Sequence, residues 1–136
     1  MKCMGRSLGF LAVFCSWVAM ASALPVDGGS DDVKVVRPEK VYHGDAKRFT
    51  KAAVVDSQEI VRATSYYQEI VKEKLDKNSA KYWVLIRKAN DAFHKVVRQV
   101  AEDEGYDLVA EEGALEAVKG KLANLTSLAK RKVEEL

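Results

Sequence analysis

The sequence predicts an α+β protein, with a small β-sheet body, a projecting antiparallel coiled-coil helical hairpin and a C-terminal helix. Three observations predict it. A short apolar run, Ala52-Ala53-Val54-Val55, stops at Asp56 and gives way to helical spacing. Two seams of apolar residues at steps of three and four follow, parted only by Lys77-Asn78-Ser79. The period then drops to two at Gly105, where Tyr106, Leu108 and Ala110 alternate with Asp107, Val109 and Glu111.

The first residues read as an address label. Lys2 and Arg6 form a basic start, Leu8 to Val18 is apolar, and Ala21-Ser22-Ala23 offers the small residues of a cleavage site, so 1–23 is expected to be a signal peptide. Both cysteines, Cys3 and Cys15, fall inside it, and a processed chain would have no thiol and no disulfide framework. Removing these residues takes two bases and no acid, leaving 113 residues, formally neutral, enough for one domain. Residues 24–50 follow as a flexible N-terminal arm, from the Asp27-Gly28-Gly29-Ser30-Asp31-Asp32 leader to about Phe49. Val33, Val35 and Val36 are a candidate strand edge, and Pro38 stops its extension.

The folded part is expected over 51–136. Lys51 to Val55 fits a buried strand, and Asp56 with Glu59 three residues on forms a capping-box start for the first helix. Ile60, Thr64, Tyr67 and Val71 form its seam, flanked by Tyr66 and Ile70, so one continuous helix of roughly 30 Å is expected. The second seam, Tyr82, Ile86, Ala89, Phe93, Val96 and Val100, repeats the heptad steps without a lapse. With so short a connection the two arms, about 57–104, fold back on each other. Gly105 closes the second by adopting the left-handed conformation, and the helix should end at Glu104. Residues 114–119 fit either a helix or a short strand, and Gly120 marks a break. Asn124-Leu125-Thr126 opens a last helix, with Thr126 as its expected cap.

The chemistry-bearing residues are few. With two histidines, no Gly-rich phosphate loop and no Gly-x-Ser-x-Gly elbow, the common catalytic constellations are not assembled, so no reaction and no cofactor or metal is expected. His43 has no ligand-spaced partner, and His94 reads as a solvated or interface residue. Charge is unevenly spread. Lys72, Lys74, Lys77, Lys81, Arg87 and Lys88 face only Glu73 and Asp76, whereas Glu102 to Glu116 holds seven acids and no base. One end is basic and carries Tyr82, Trp83 and Leu85; the other is acidic. Such a basic, aromatic end suits anionic headgroups or an unfolded acidic client, and the signal peptide argues against nucleic acid.

These residues resemble a known family. The signal peptide, the strand Ala52 to Asp56 leading into a helix with Gln58, the hairpin, the run Val97-Val100-Ala101-Glu104-Gly105-Tyr106-Asp107-Leu108-Val109 and the Asn124-Leu125-Thr126 helix look like the Skp (OmpH-like) periplasmic chaperones. The resemblance spans roughly Lys51 to Leu136, with a hairpin much shorter than the family's. It implies a periplasmic, ATP-independent holdase for unfolded outer-membrane or exported proteins. It also implies a homotrimer assembled through strands, which here would involve Val54, Val55, Gly105, Tyr106, Leu108 and Val109. A trimer would also cover apolar seam that two helices leave open. Client contact is expected at Lys72, Lys74, Lys77, Lys81, Tyr82, Trp83, Leu85, Arg87 and Lys88. The alternative is a non-catalytic envelope adaptor that docks a partner, or an anionic membrane, through the short hairpin.

Overall fold

A computed structural model describes residues 32–136, so the signal peptide expected over 1–23, both cysteines and residues 24–31 of the expected arm lie outside the described residues. The fold is mixed α+β. It runs β1 (Val33–Val35), a single 3-10 turn (Pro38–Lys40), β2 (Val41–Gly44), β3 (Ala52–Val55), α1 (Ser57–Ala63), α2 (Ser65–Lys72), α3 (Ala80–Glu104), β4 (Leu108–Glu111), β5 (Leu115–Ala117), β6 (Ala123–Asn124) and α4 (Thr126–Glu134).

The body is a four-stranded mixed sheet in the order β2-β4-β3-β6, with a separate antiparallel ribbon of β1 and β5. β3 and β4 are parallel and central, as near-continuous apolar runs must be when both faces are covered. On one face Ala53, Val55 and Val109 meet Ile60, Phe93, Val96, Val97 and Val100 of the helices, with Ala129 and Val133 of α4. On the other, Val54, Leu108 and Ala110 pack with Phe49, Ala114 and Leu115 beneath the ribbon. The strand period of two divides these residues between the two faces.

The N-terminal segment corrects the expectation of a flexible arm over its described part. β1 pairs with β5, placing Val33 opposite Ala117, and β2 pairs with β4. Phe49 is buried. These strand pairings join residues from Gly44 with Leu108, 64 positions apart, to Val33 with Ala117, 84 apart, beyond the reach of local composition. Pro38 does stop β1, since it opens the 3-10 turn. β5 also resolves the open choice at 114–119 as a strand, paired with β1 and not with β4.

The first helical arm is broken. Thr64 is extended (ψ 144°) and ends α1, while its hydroxyl oxygen accepts from Tyr67 N at 3.1 Å and so starts α2. That hydroxyl donates to Val61 O at 2.6 Å, and the whole side chain is buried. The break shifts the seam: Ile70 faces inward and Val71 is 57% exposed, the reverse of the expected order. α3 follows its sequence closely. Ser79 caps it through Tyr82 N, and Ala89, Phe93, Val96 and Val100 are buried, with Tyr82 and Ile86 half-buried nearer its start. It ends at Glu104, and Gly105 has φ 71° and ψ 33° as expected.

α2 and α3 end in the same backbone motif. Tyr106 N donates to Ala101 O and Gly105 N to Glu102 O; likewise Leu75 N donates to Ile70 O and Lys74 N to Val71 O. The left-handed position is glycine in one and Lys74 (φ 50°) in the other. Relieving that backbone should outweigh the added chain entropy, so Lys74→Gly is expected to stabilise the protein by about 0.5–1 kcal/mol. Thermal or urea unfolding checks it; a loss of stability would refute the strain.

Asp107 locks the turn from α3 into β4. Its Oδ2 accepts from Thr50 N and Thr50 Oγ1, and its Oδ1 from Lys51 N, each at 2.7 Å. Lys51 Nζ in turn donates to Glu104 O at 3.1 Å and lies 4.2 Å from the Tyr106 ring centroid. Partial burial pushes the Asp107 carboxyl up, but the Thr50 hydroxyl and the backbone amides of Lys51 and Thr50 outweigh it, and the group sits below its ordinary value. The ionised form is therefore favoured by folding, and this contribution is present at neutral pH and fades as pH falls through the lowered value. Asp107→Asn should cost about 1–2 kcal/mol at pH 7. The gap to the parent should close in acid, which urea titrations across pH would measure. A gap constant with pH would refute the assignment.

At the other end of the body, Thr126 is not the cap expected of it. It is the first residue of α4, buried, and its hydroxyl oxygen accepts from Asp56 N at 2.9 Å, tying α4 to the β3–α1 junction. Asn124 Oδ1 accepts from Thr126 N instead. Asp56 does cap α1 through Glu59 N at 3.1 Å. The Glu59 carboxylate lies 3.4 Å from Lys130 of α4.

Candidate functional site

The basic residues singled out from the sequence gather where α2, the turn 73–79 and the start of α3 meet. α2 lies along the first half of α3, with Lys81 Nζ 3.0 Å from Glu69 and also bonded to Glu73, and Lys88 Nζ 5.7 Å from the Tyr66 ring centroid. Ile70 and Leu85 are buried in this region.

The expected client-contact residues divide by exposure. Lys72, Lys74, Lys77, Arg87 and Lys88 are exposed and available to an anionic partner. Lys81 has two carboxylates for partners, and its hydrogen bonds to Glu73 and Glu69 hold its ammonium above the ordinary lysine value. Its charge is spent within the chain. Leu85 is 5% exposed and belongs to the packing between helices, which corrects its assignment to the surface. Trp83 is 59% exposed, and half-buried Tyr82 stands edge-on to it, ring centroids 5.3 Å apart.

Two apolar residues belong to this surface that the sequence reading missed. Val84, 53% exposed, lines a shallow cleft with Trp83, Arg87 and Lys88. Val71 is exposed on α2. Val84 was findable, since it falls off the 82–86–89 seam. Val71 was not, because in an unbroken helix it lies on the seam.

The residues expected at an oligomer interface are split as well. Val54, Val55, Leu108 and Val109 are buried within the chain's own core. As folded here they would support an interface from behind and not touch a partner. Gly105 is exposed and Tyr106 half-buried. His43 is half-buried in β2 opposite Val109, and His94 is exposed on α3. Among the described residues no three His, Cys, Asp or Glu side chains converge as metal ligands, and no helix is long and apolar enough to cross a membrane.

No family model, curated protein or solved structure matches the chain.

Proposed function

We propose that the protein is an ATP-independent holdase of the bacterial envelope, similar to the Skp (OmpH-like) chaperones, which works as a trimer and presents α2 and α3 as a projecting coiled-coil hairpin. One observation carries the reading: the α2–α3 end exposes Trp83, Val84 and Val71 among the cations Lys72, Arg87 and Lys88. Long-range attraction from the lysines and arginine would gather an acidic unfolded segment, and the apolar side chains would hold it. The β3–helix–β4 path, with strands side by side and the helices leaving and returning between them, supports the family resemblance.

The test is suppression of aggregation of an unfolded outer-membrane β-barrel protein by the purified, processed chain. Trp83→Ser with Val84→Ser should weaken suppression several-fold while leaving the melting temperature within about 2 °C, since both side chains lie outside the core. Unchanged aggregation at several-fold excess of the parent chain refutes the holdase reading. A native mass equal to one chain refutes the trimer.

A second reading is favoured by length. α2 has 8 residues, about 12 Å, too short to wall off a large client. The same surface then docks one partner, as an adaptor or on an anionic membrane. Stoichiometric capture of a folded envelope protein without aggregation suppression would select it.

A further inference from the structure

A second cleft opens where β2, α1 and α3 meet. His94 on its rim lies about 16 Å along α3 from Trp83, so the cleft is separate from the helix end. Its volume is about 400 Å³, within the range of small-molecule sites.

Its base is built by a β-bulge. Val41 pairs with Ala110 and His43 with Val109, which leaves Tyr42 as the extra residue, and bulges re-aim side chains. The Tyr42 ring meets Phe93 edge-on with centroids 4.9 Å apart, and His94 at 5.8 Å. The Tyr42 hydroxyl donates to Glu111 Oε2 at 2.9 Å, and that oxygen also accepts from Ser57 N at 3.2 Å. Glu111 is thus committed to holding the base, and its charge does not line the cleft. Burial, with the neighbouring carboxylate, keeps the phenol above its ordinary value despite an opposing hydrogen bond with Ser57, so it remains a donor.

The lining then defines the ligand. Val61, Phe93 and the Tyr42 ring supply apolar wall, while Gln58 and Asn90 bring two exposed carboxamides from facing helices. Ser57 and the exposed His94 complete the lining, which holds no lysine, arginine, aspartate or glutamate, so a charged ligand would meet no fixed counter-charge there. Carboxamides donate and accept side by side, which matches another amide or a pair of hydroxyls. Aromatic and aliphatic wall beside such groups matches a ring with one apolar face and a small methyl group.

We propose that this cleft binds a neutral acetamido sugar, its acetamide met by Gln58 and Asn90 and its ring face by Tyr42, Phe93 and Val61. Such occupancy is independent of whether the helix end holds clients. The probe is N-acetylglucosamine, titrated into the processed chain and followed by calorimetry and by the side-chain amide resonances of Gln58 and Asn90. Saturable binding in the millimolar range is expected, with both resonances shifting. Asn90→Ala and Gln58→Ala, both on exposed positions, should each weaken binding about fivefold or more at unchanged melting temperature. Glucose, which lacks the acetamide, should bind about tenfold more weakly. Absence of saturable binding, equal binding by glucose, or full binding by the double variant each overturns the proposal.

Discussion

Gly44→Ala is expected to cost at least about 4 kcal/mol, enough to leave a domain of this size largely unfolded. The glycine ends β2 with φ +89°, a conformation that side chains rarely adopt. A Cβ built there falls 1.8 Å from the Asp107 carbonyl oxygen, 2.9 Å from its carbon and 3.2 Å from Leu108 Cα. All three atoms are backbone and cannot swing aside. They are also pinned, because the Asp107 carboxylate is held by Thr50 and Lys51 and Leu108 is fully buried. Relief would require peeling β2 from β4. Circular dichroism with urea unfolding measures the loss, and a variant within about 1 kcal/mol of the parent would show that the β2–β4 contact is not close. Gly105 is the control: a Cβ there meets nothing within 4 Å, so Gly105→Ala should cost only about 1–2 kcal/mol of backbone strain.

Phe93→Ala is expected to cost about 3–5 kcal/mol. Phe93 is 3% exposed at the middle of α3, in the cluster that joins the sheet to α1 and α4, and its ring carries the edge-on contact with Tyr42. Truncation removes buried area and leaves a void that α3, fixed along its length by Ala89, Val96 and Val100, cannot close. Phe93→Leu should fall between, near 1–1.5 kcal/mol, because most of the volume is kept. Equilibrium denaturation of the three proteins supplies the comparison. Equal losses for the alanine and leucine variants would mean that the ring's contact with Tyr42, and not the space it fills, sets the cost.

Features governed by neighbours in the chain were legible in the sequence. The Asp56 cap, the α3 seam and the stop at Gly105 each rest on residues within one or two turns, and all three are present. Thr64 defeated the reading because its spacing suits an apolar seam equally well as its hydroxyl suits a cap, and only the buried side chain decides. The strand edge at Val33 and Val35 was legible, but β2 and the partners of β1 and β5 were unreadable for another reason: their hydrogen bonds reach residues far along the chain. Thr126 belongs with them, since its hydroxyl answers Asp56, 70 residues away. For the candidate surface, Trp83 and Arg87 followed from composition, while the loss of Leu85 and Lys81 depended on packing between helices.

The sheet order has a consequence for a chain that emerges from its N-terminus. β4 lies between β2 and β3, so both earlier strands wait through the whole of α1 to α3 before either finds its central partner. The helices can form from contacts close in sequence, and loop closure then brings β4 back beside β3. Until that moment Val41 to Gly44 and Ala52 to Val55 present unpaired edges. An emerging chain therefore passes through a species with its helices made and its strands open, and the interval before residue 111 appears is when it is most prone to aggregate.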